Sequence, residues 1–221
     1  RYINETSSGP SVVSSLRSFI PHKDGMCNLS KYSLGKTVTG RMIVKSGPSI
    51  LTLSSKYRDI LKSRYRGGRI VQVDFVSLEP RVCRYISGGD SERDIYQHVS
   101  NTIFSGNQER KTVKLAVLCA LYGVSIKRLS SLLGSESESK RVVKAVRKYF
   151  QVPELERSLR GQLLALKKIC NYYGRPLKTE TFEPHVLVSH FIQSTAVDVA
   201  LEGFYEIIQK TQTKNINPIF L

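Results

Sequence analysis

"RKTVKLAVLCALYG", Arg110 to Gly123, places two cations, a leucine and a tyrosine at intervals of four: Arg110, Lys114, Leu118 and Tyr122. Residues four apart stand above one another on a helix, so the spacing predicts a single stripe along one face, about 18 Å long. Cations at one end and an aromatic ring at the other suit a ligand with phosphates at one end and a base at the other. The pattern also fits a basic amphipathic helix whose charged face is simply solvated.

Outward from this helix the periodicity stays helical, from "DIYQHVSNTIF" at Asp94 through "IKRLSSLLG", "SKRVVKAVRKYF" and "PELERSLRGQLLALKKICNYY". This reads as a helical insertion between two sheet-forming parts. A turn is predicted at Gly174-Arg175-Pro176, then a long amphipathic helix from about Pro184 to Lys210. On it His185, Ser189 and Gln193 recur every four residues, beside an inward stripe of Val188, Ile192 and Ala196. Small polar groups on one helix face suit the acceptors of a duplex minor groove, and they equally suit an ordinary amphipathic boundary.

Upstream, "VQVDFVSLEPRVCRYISGGD" (Val71 to Asp90) runs nearly unbroken apolar residues into a lone carboxylate. A strand is predicted over Ile70 to Phe75, with Asp74 on the face of Gln72 and opposite Val71, Val73 and Phe75. A carboxylate at a strand end is a candidate metal ligand, and an isolated Asp also serves as a helix N-terminal residue or surface ion pair. Ser77 is placed to cap a helix with Glu79 and Pro80 in its first turn, close enough to Asp74 for Glu79 to line the same cleft.

Before that, the β-branched runs from Lys36 to Phe75 are broken by Gly40, Gly47-Pro48 and Gly67-Gly68 and predict short strands or extended loops. Arg1 to Gly35 is rich in Ser, Gly and Pro, has one amphipathic piece at Val12 to Ile20, and reads as less than a domain. "PIFL", the last four residues, reads as the start of a buried strand, for which another segment or another chain is expected to supply the partner.

The composition bounds the partners. The 34 Lys and Arg against 18 Asp and Glu leave a formal charge of +16 over 221 residues, spread along the whole chain. A long polyanion fits this balance, since each neutralised phosphate releases counterions, and a merely soluble basic surface is the plainer reading. Cys27, Cys83, Cys119 and Cys170 form no C-x-x-C pair, which points away from a zinc knuckle or disulfide scaffold and toward a reducing compartment. The longest apolar run, Leu115 to Val124, is shorter than the roughly 20 residues of a membrane helix, and no signal-peptide pattern opens the chain, so a soluble intracellular protein is expected. "SLGKT" has Ser30 where a P-loop has its first Gly, and His22, His98, His185 and His190 lack metal-ligand spacing.

In order along the chain these stretches resemble the palm and fingers of family A DNA polymerases, the bacterial DNA polymerase I class and its phage relatives. The resemblance runs from Thr39 to Leu221. "TGR" at Thr39 to Arg41 resembles the family's T-G-R-L, "DFVSLEPR" its motif A (D-Y-S-x-x-E-x-R), and Arg110-x3-Lys114-x7-Tyr122-Gly123 its motif B. "YYGRP" resembles its G-R turn and "IQSTAVDVA" its Q-G-T-A-A-D-I segment.

The resemblance implies an α+β fold: a palm of antiparallel sheet and helices with a helical fingers insertion, together an incomplete right hand. It divides the chain into an N-terminal segment or thumb remnant (1–38), a first palm part with motif A (39–82), helical fingers (83–172) and a second palm part (173–221) ending just before motif C. It implies template-directed DNA synthesis, with Asp74 and the Phe75 backbone carbonyl holding Mg2+, two ions in the completed site. By the same likeness Arg110 and Lys114 grip the incoming phosphates and Tyr122 closes on the nascent pair, while Glu79 crowds the sugar 2′ position so that dNTPs are preferred. Primer-template DNA would meet Arg41, Arg175, His185, Ser189 and Gln193.

Leu118 stands where the family has Phe or Tyr, and Ser189 and His185 replace an Asn and an Arg. Motif C, with the second metal-binding carboxylate, and the rest of the thumb are expected from a second polypeptide or a further chain segment. A split polymerase in a cell or phage-infected host cytoplasm is one expectation; a non-catalytic primer-template-binding remnant is the alternative. A single-subunit RNA polymerase would not keep Glu79.

Overall fold

From residue 78 on, apolar side chains recur at intervals of three and four, and the chain forms one helix after another. In the computed structural model, which describes residues 16–63, 65–90, 92–177 and 183–211, these helices are α1 (Leu78–Ile86), α2 (Ile95–Phe104), α3 (Arg110–Tyr122), α4 (Lys127–Leu133), α5 (Glu136–Tyr149) and α6 (Val152–Leu166). A last long helix, α7, covers Pro184–Thr211. The strands are short and antiparallel: β1 (Lys31–Ser33) pairs with β2 (Ile43–Ser46), and β3 (Ile169–Cys170) with β4 (Pro176–Leu177). The fold class is therefore α+β, as expected.

Two compact units emerge, one up to Asp74 and resuming at Phe204, the other Phe75–Gly203. The second holds the larger core. Its centre is α3, whose Val113, Ala116, Val117, Ala120 and Leu121 are essentially inaccessible and pack with Val99, Leu129, Val142, Val146 and Phe150. Helix α3 lies mainly against α5, with α2 and α4 flanking it. The first unit gathers Leu16, Phe19, Leu53 and Tyr57 around two 3-10 turns, Ile50–Thr52 and Ser55–Ile60.

Polar pins lock the helical unit. Arg147 of α5 donates from Nη2 to Glu156 Oε2 at 2.6 Å and from Nη1 to the Ala120 carbonyl at 3.3 Å, tying α6 to the end of α3. The Ser87 hydroxyl after α1 donates to the Phe150 carbonyl at 2.6 Å. Arg84 reaches the Tyr149 carbonyl at 3.2 Å and lies over its ring, 4.6 Å from the centroid.

Three expectations need correction. Ile70 to Phe75 is not a strand: the described residues form only the two small ladders, and Val71 and Val73 are 79% and 55% exposed. A β-branched run becomes a strand only beside a partner edge that takes its backbone groups, and no described segment pairs with this one. The helix predicted to continue to Tyr173 stops at Leu166, where Lys167 turns left-handed (φ 57) and Ile169–Cys170 joins a hairpin. Ser77 occupies the N-cap position but is itself left-handed (φ 53), with no capping side-chain bond, because that φ departs from the extended backbone from which a hydroxyl reaches the first-turn N–H groups.

β1 also lies inside the 1–38 segment, where no strand was expected. The strand read at "PIFL" and the first four residues of the Val12 to Ile20 piece lie outside the described residues.

Candidate functional site

Helix α3 begins after Glu109 and ends on Gly123, whose φ of 65 closes the helix as a left-handed C-cap. Its back face is the core described above, so the opposite stripe is held rigidly. The predicted order is realised: Arg110 and Lys114 are exposed, while Leu118 and Tyr122 are half-buried.

Arg110 is aimed by a group that the sequence pattern did not flag. Asp94 caps α2, accepting from the Tyr96 and Gln97 backbone N–H groups at 3.1 and 3.2 Å, and its other oxygen accepts from Arg110 Nη1 at 2.6 Å. Burial alone would raise the Asp94 carboxyl. The Arg110 hydrogen bond and charge, with the two backbone donors, outweigh it and hold the group below the usual carboxylate range.

The Arg110 guanidinium also lies over the Tyr96 ring, 5.0 Å from its centroid. Tyr96 is buried, and burial is the main reason its phenol is pushed up; the Ser77 side chain hydrogen-bonds it and the nearby Glu79 charge adds to the rise. Ser77, Glu79, Tyr96, Asp94 and Arg110 thus converge from the starts of α1, α2 and α3. The one legible signal for this was Asp94 standing immediately before a helical run, an N-cap signature. Its pairing with a residue 16 positions on was not.

At the other end of the stripe, Gly123 meets α7. A Cβ on Gly123 would lie 2.6 Å from His185 Cδ2, so only glycine lets the imidazole sit against the end of α3. His185 is exposed, Ser189 and Gln193 are half-buried, and Gln193 Nε2 donates to Ser189 Oγ at 3.3 Å. Val188, Ile192 and Ala196 are buried, as their spacing predicted.

Arg175 is engaged within the fold. It donates to Asp198 and to the Ser194 carbonyl and hydroxyl at 2.9–3.1 Å, and Asn171 joins the same cluster by donating to Ser194 and Asp198. The hairpin turn after β3 is thereby fastened to α7. The Phe75 ring edge packs over Gly203, where a Cβ would lie 2.7 Å from Phe75 Cζ, which accounts for a glycine within α7.

Asp74 ends the first unit as an exposed carboxylate on the extended segment. Two residues before it, Gln72 accepts from Arg58 Nη1 at 2.6 Å, which holds the segment to the second 3-10 turn. Arg41 is exposed just after a turn in which the Gly40 N–H donates to the Thr37 carbonyl and Thr39 is buried. Among the described residues, no group of three or more His, Cys, Asp or Glu side chains is placed to hold a metal, and no helix is long and apolar enough to cross a membrane.

Against solved structures the chain is similar to the POL domain of Pol1 from M. smegmatis, in a complex with DNA primer-template and dNTP, with a TM-score of 0.67 at 16% identity. The chain has a polymerase-type fold. The match takes in 94% of this chain and 42% of that one, so the chain spans less than half the length of its structural neighbour. No protein-family model and no curated protein sequence matches.

Proposed function

We propose that this chain is the palm-and-fingers portion of a DNA-directed DNA polymerase of the family A kind. The observation that carries the reading is the α3 stripe: Arg110 and Lys114 exposed, Leu118 and Tyr122 half-buried, on a helix ending at Gly123 in a polymerase-type fold. The strongly basic composition supports a nucleic-acid partner.

In this reading Arg110 and Lys114 neutralise the triphosphate of an incoming dNTP, with Asp94 and Tyr96 fixing the angle at which Arg110 is presented. Leu118 offers an apolar contact to the sugar, and Tyr122 a ring to the nascent base pair. Glu79 excludes a 2′ hydroxyl. Arg41, His185, Ser189 and Gln193 contact primer-template, while Arg175 fastens the β3–β4 turn to α7. The primer 3′ oxygen attacks the α-phosphorus; the new P–O bond forms as the bond to the β-phosphate oxygen breaks, and pyrophosphate leaves.

The donor set at Asp74 fits Mg2+, a hard cation commonly held by one or two carboxylates together with substrate phosphates. The Asp74 carboxylate and the Phe75 carbonyl would hold it, and it would supply charge neutralisation at the triphosphate and activation of the 3′ hydroxyl. A carboxylate for a second ion would come from outside the described residues.

Primer extension tests this. The protein carrying this chain, alone and with a polypeptide supplying a His-Asp-Glu turn, is given a labelled primer-template, dNTPs and Mg2+. Extension that disappears in Asp74→Asn supports the reading; extension unaffected by that change rejects it. Salt-sensitive DNA binding with no extension in any combination would instead make the chain a non-catalytic DNA-binding module.

A further inference from the structure

Three tyrosines form a cluster that the proposed chemistry leaves unused. Tyr172 and Tyr173 project from the β3–β4 turn, and Tyr85 from the last turn of α1. They are 52%, 60% and 65% exposed, although large aromatic side chains normally bury much of their surface.

The rings are mutually organised. Tyr172 meets Tyr85 edge to face at 6.2 Å and 72°, and Tyr173 at 5.5 Å and 85°. Each such contact covers at most one face of one ring, and with all three side chains more than half exposed, ring surface remains open to a planar partner. The turn beneath is rigid: Asn171 Oδ1 accepts from the Tyr173 and Arg175 backbone N–H groups, and Thr195 Oγ1 of α7 accepts from the Tyr172 N–H at 3.2 Å. A pre-set aromatic pair loses little conformational freedom on binding.

The surrounding charge selects the partner. From Arg157 to Lys178 the sequence has six Lys or Arg and no Asp or Glu; Arg157 and Arg175 are paired with Glu154 and Asp198 and Arg84 of α1 is held on Tyr149, so the excess positive charge comes from Arg160, Lys167, Lys168 and Lys178. Exposed π-faces in a cationic setting are the combination that holds unpaired nucleotides, through base stacking and phosphate neutralisation. An apolar peptide would gain nothing from that charge.

We infer that Tyr85, Tyr172 and Tyr173 form a stacking platform for single-stranded nucleic acid, occupied by unpaired template nucleotides. The inference rests on the primer-template reading above.

Fluorescence anisotropy on the protein carrying this chain provides the test, with a blunt hairpin duplex, the same duplex bearing a short 5′ overhang, and one whose overhang is abasic. The overhang should tighten binding, the abasic overhang should recover only a small part of that gain, and Tyr172→Ala/Tyr173→Ala should lose it by roughly tenfold while leaving blunt-duplex affinity unchanged. Tyr172→Phe/Tyr173→Phe, which keeps the rings, should retain it. Equal affinity for blunt and overhung DNA, a full gain from the abasic overhang, or an intact gain in the double Ala variant would overturn the platform alone. Failure to bind any of the duplexes would overturn both the platform and the polymerase reading.

Discussion

In the unit Phe75–Gly203 the candidate phosphate cations stand on a helix whose back face is fully packed, and Asp94 and Tyr96 fix Arg110 from a neighbouring helix. In the unit ending at Asp74, the candidate metal carboxylate sits on an exposed extended segment outside either ladder, and the Arg58–Gln72 bond holds that segment two residues before it. Helical hydrogen bonds close within one segment, so α3 presents its stripe as soon as its apolar face is covered. A strand has no such self-sufficiency. The candidate cations are organised within their own helix, whereas no described edge pairs with the segment that carries Asp74.

The largest test of that contrast is Asp74→Asn. Because the side chain is exposed, thermal stability should stay close to wild type while primer extension falls by at least about a hundredfold, the scale of losing a metal-site interaction. A large fall in melting temperature would show instead that Asp74 supports the fold.

On the helical side the expected effects are on stability. Arg147→Met removes a pair whose side chains are 27% and 17% exposed and leaves Glu156 and the Ala120 carbonyl without this donor, so denaturant unfolding should lose about 2–3 kcal/mol. Gly123→Ala should lose about 1–2 kcal/mol, from positive φ and from collision with His185. Adding His185→Ala should restore the collision part and leave the backbone part; no recovery would show that the imidazole does not fix this corner.

Asp94→Ala is expected to cost about 1 kcal/mol, the usual scale for a lost N-cap. Since the folded Asp94 carboxyl is held below its ordinary range, its contribution is fully present above the unfolded carboxylate value and is lost as pH falls through the lower folded value. The wild-type advantage over Asp94→Ala in urea melts should therefore be flat around neutral pH and shrink only in acid. The smallest effect is chemical. Cys27 is exposed and Cys83 is buried with its thiol pushed up to about 12 by burial, so a maleimide at neutral pH should label Cys27 and spare Cys83 until the protein is unfolded.

What the sequence determined alone was what repeats along one element. The four-residue spacing of Arg110, Lys114, Leu118 and Tyr122 specified a helix face, and Val188, Ile192 and Ala196 specified the inward side of α7, because a helix sets side-chain direction from its own backbone. Pairings between elements were decided only in three dimensions. Asp94 with Arg110, Gly123 with His185, Phe75 with Gly203, and the three tyrosines from α1 and the β3–β4 turn each join residues whose separation in the chain carries no period. Ile70 to Phe75 marks the same boundary from the other side: its composition favours a strand, but a strand needs the edge beside it, and tertiary structure has to supply that edge.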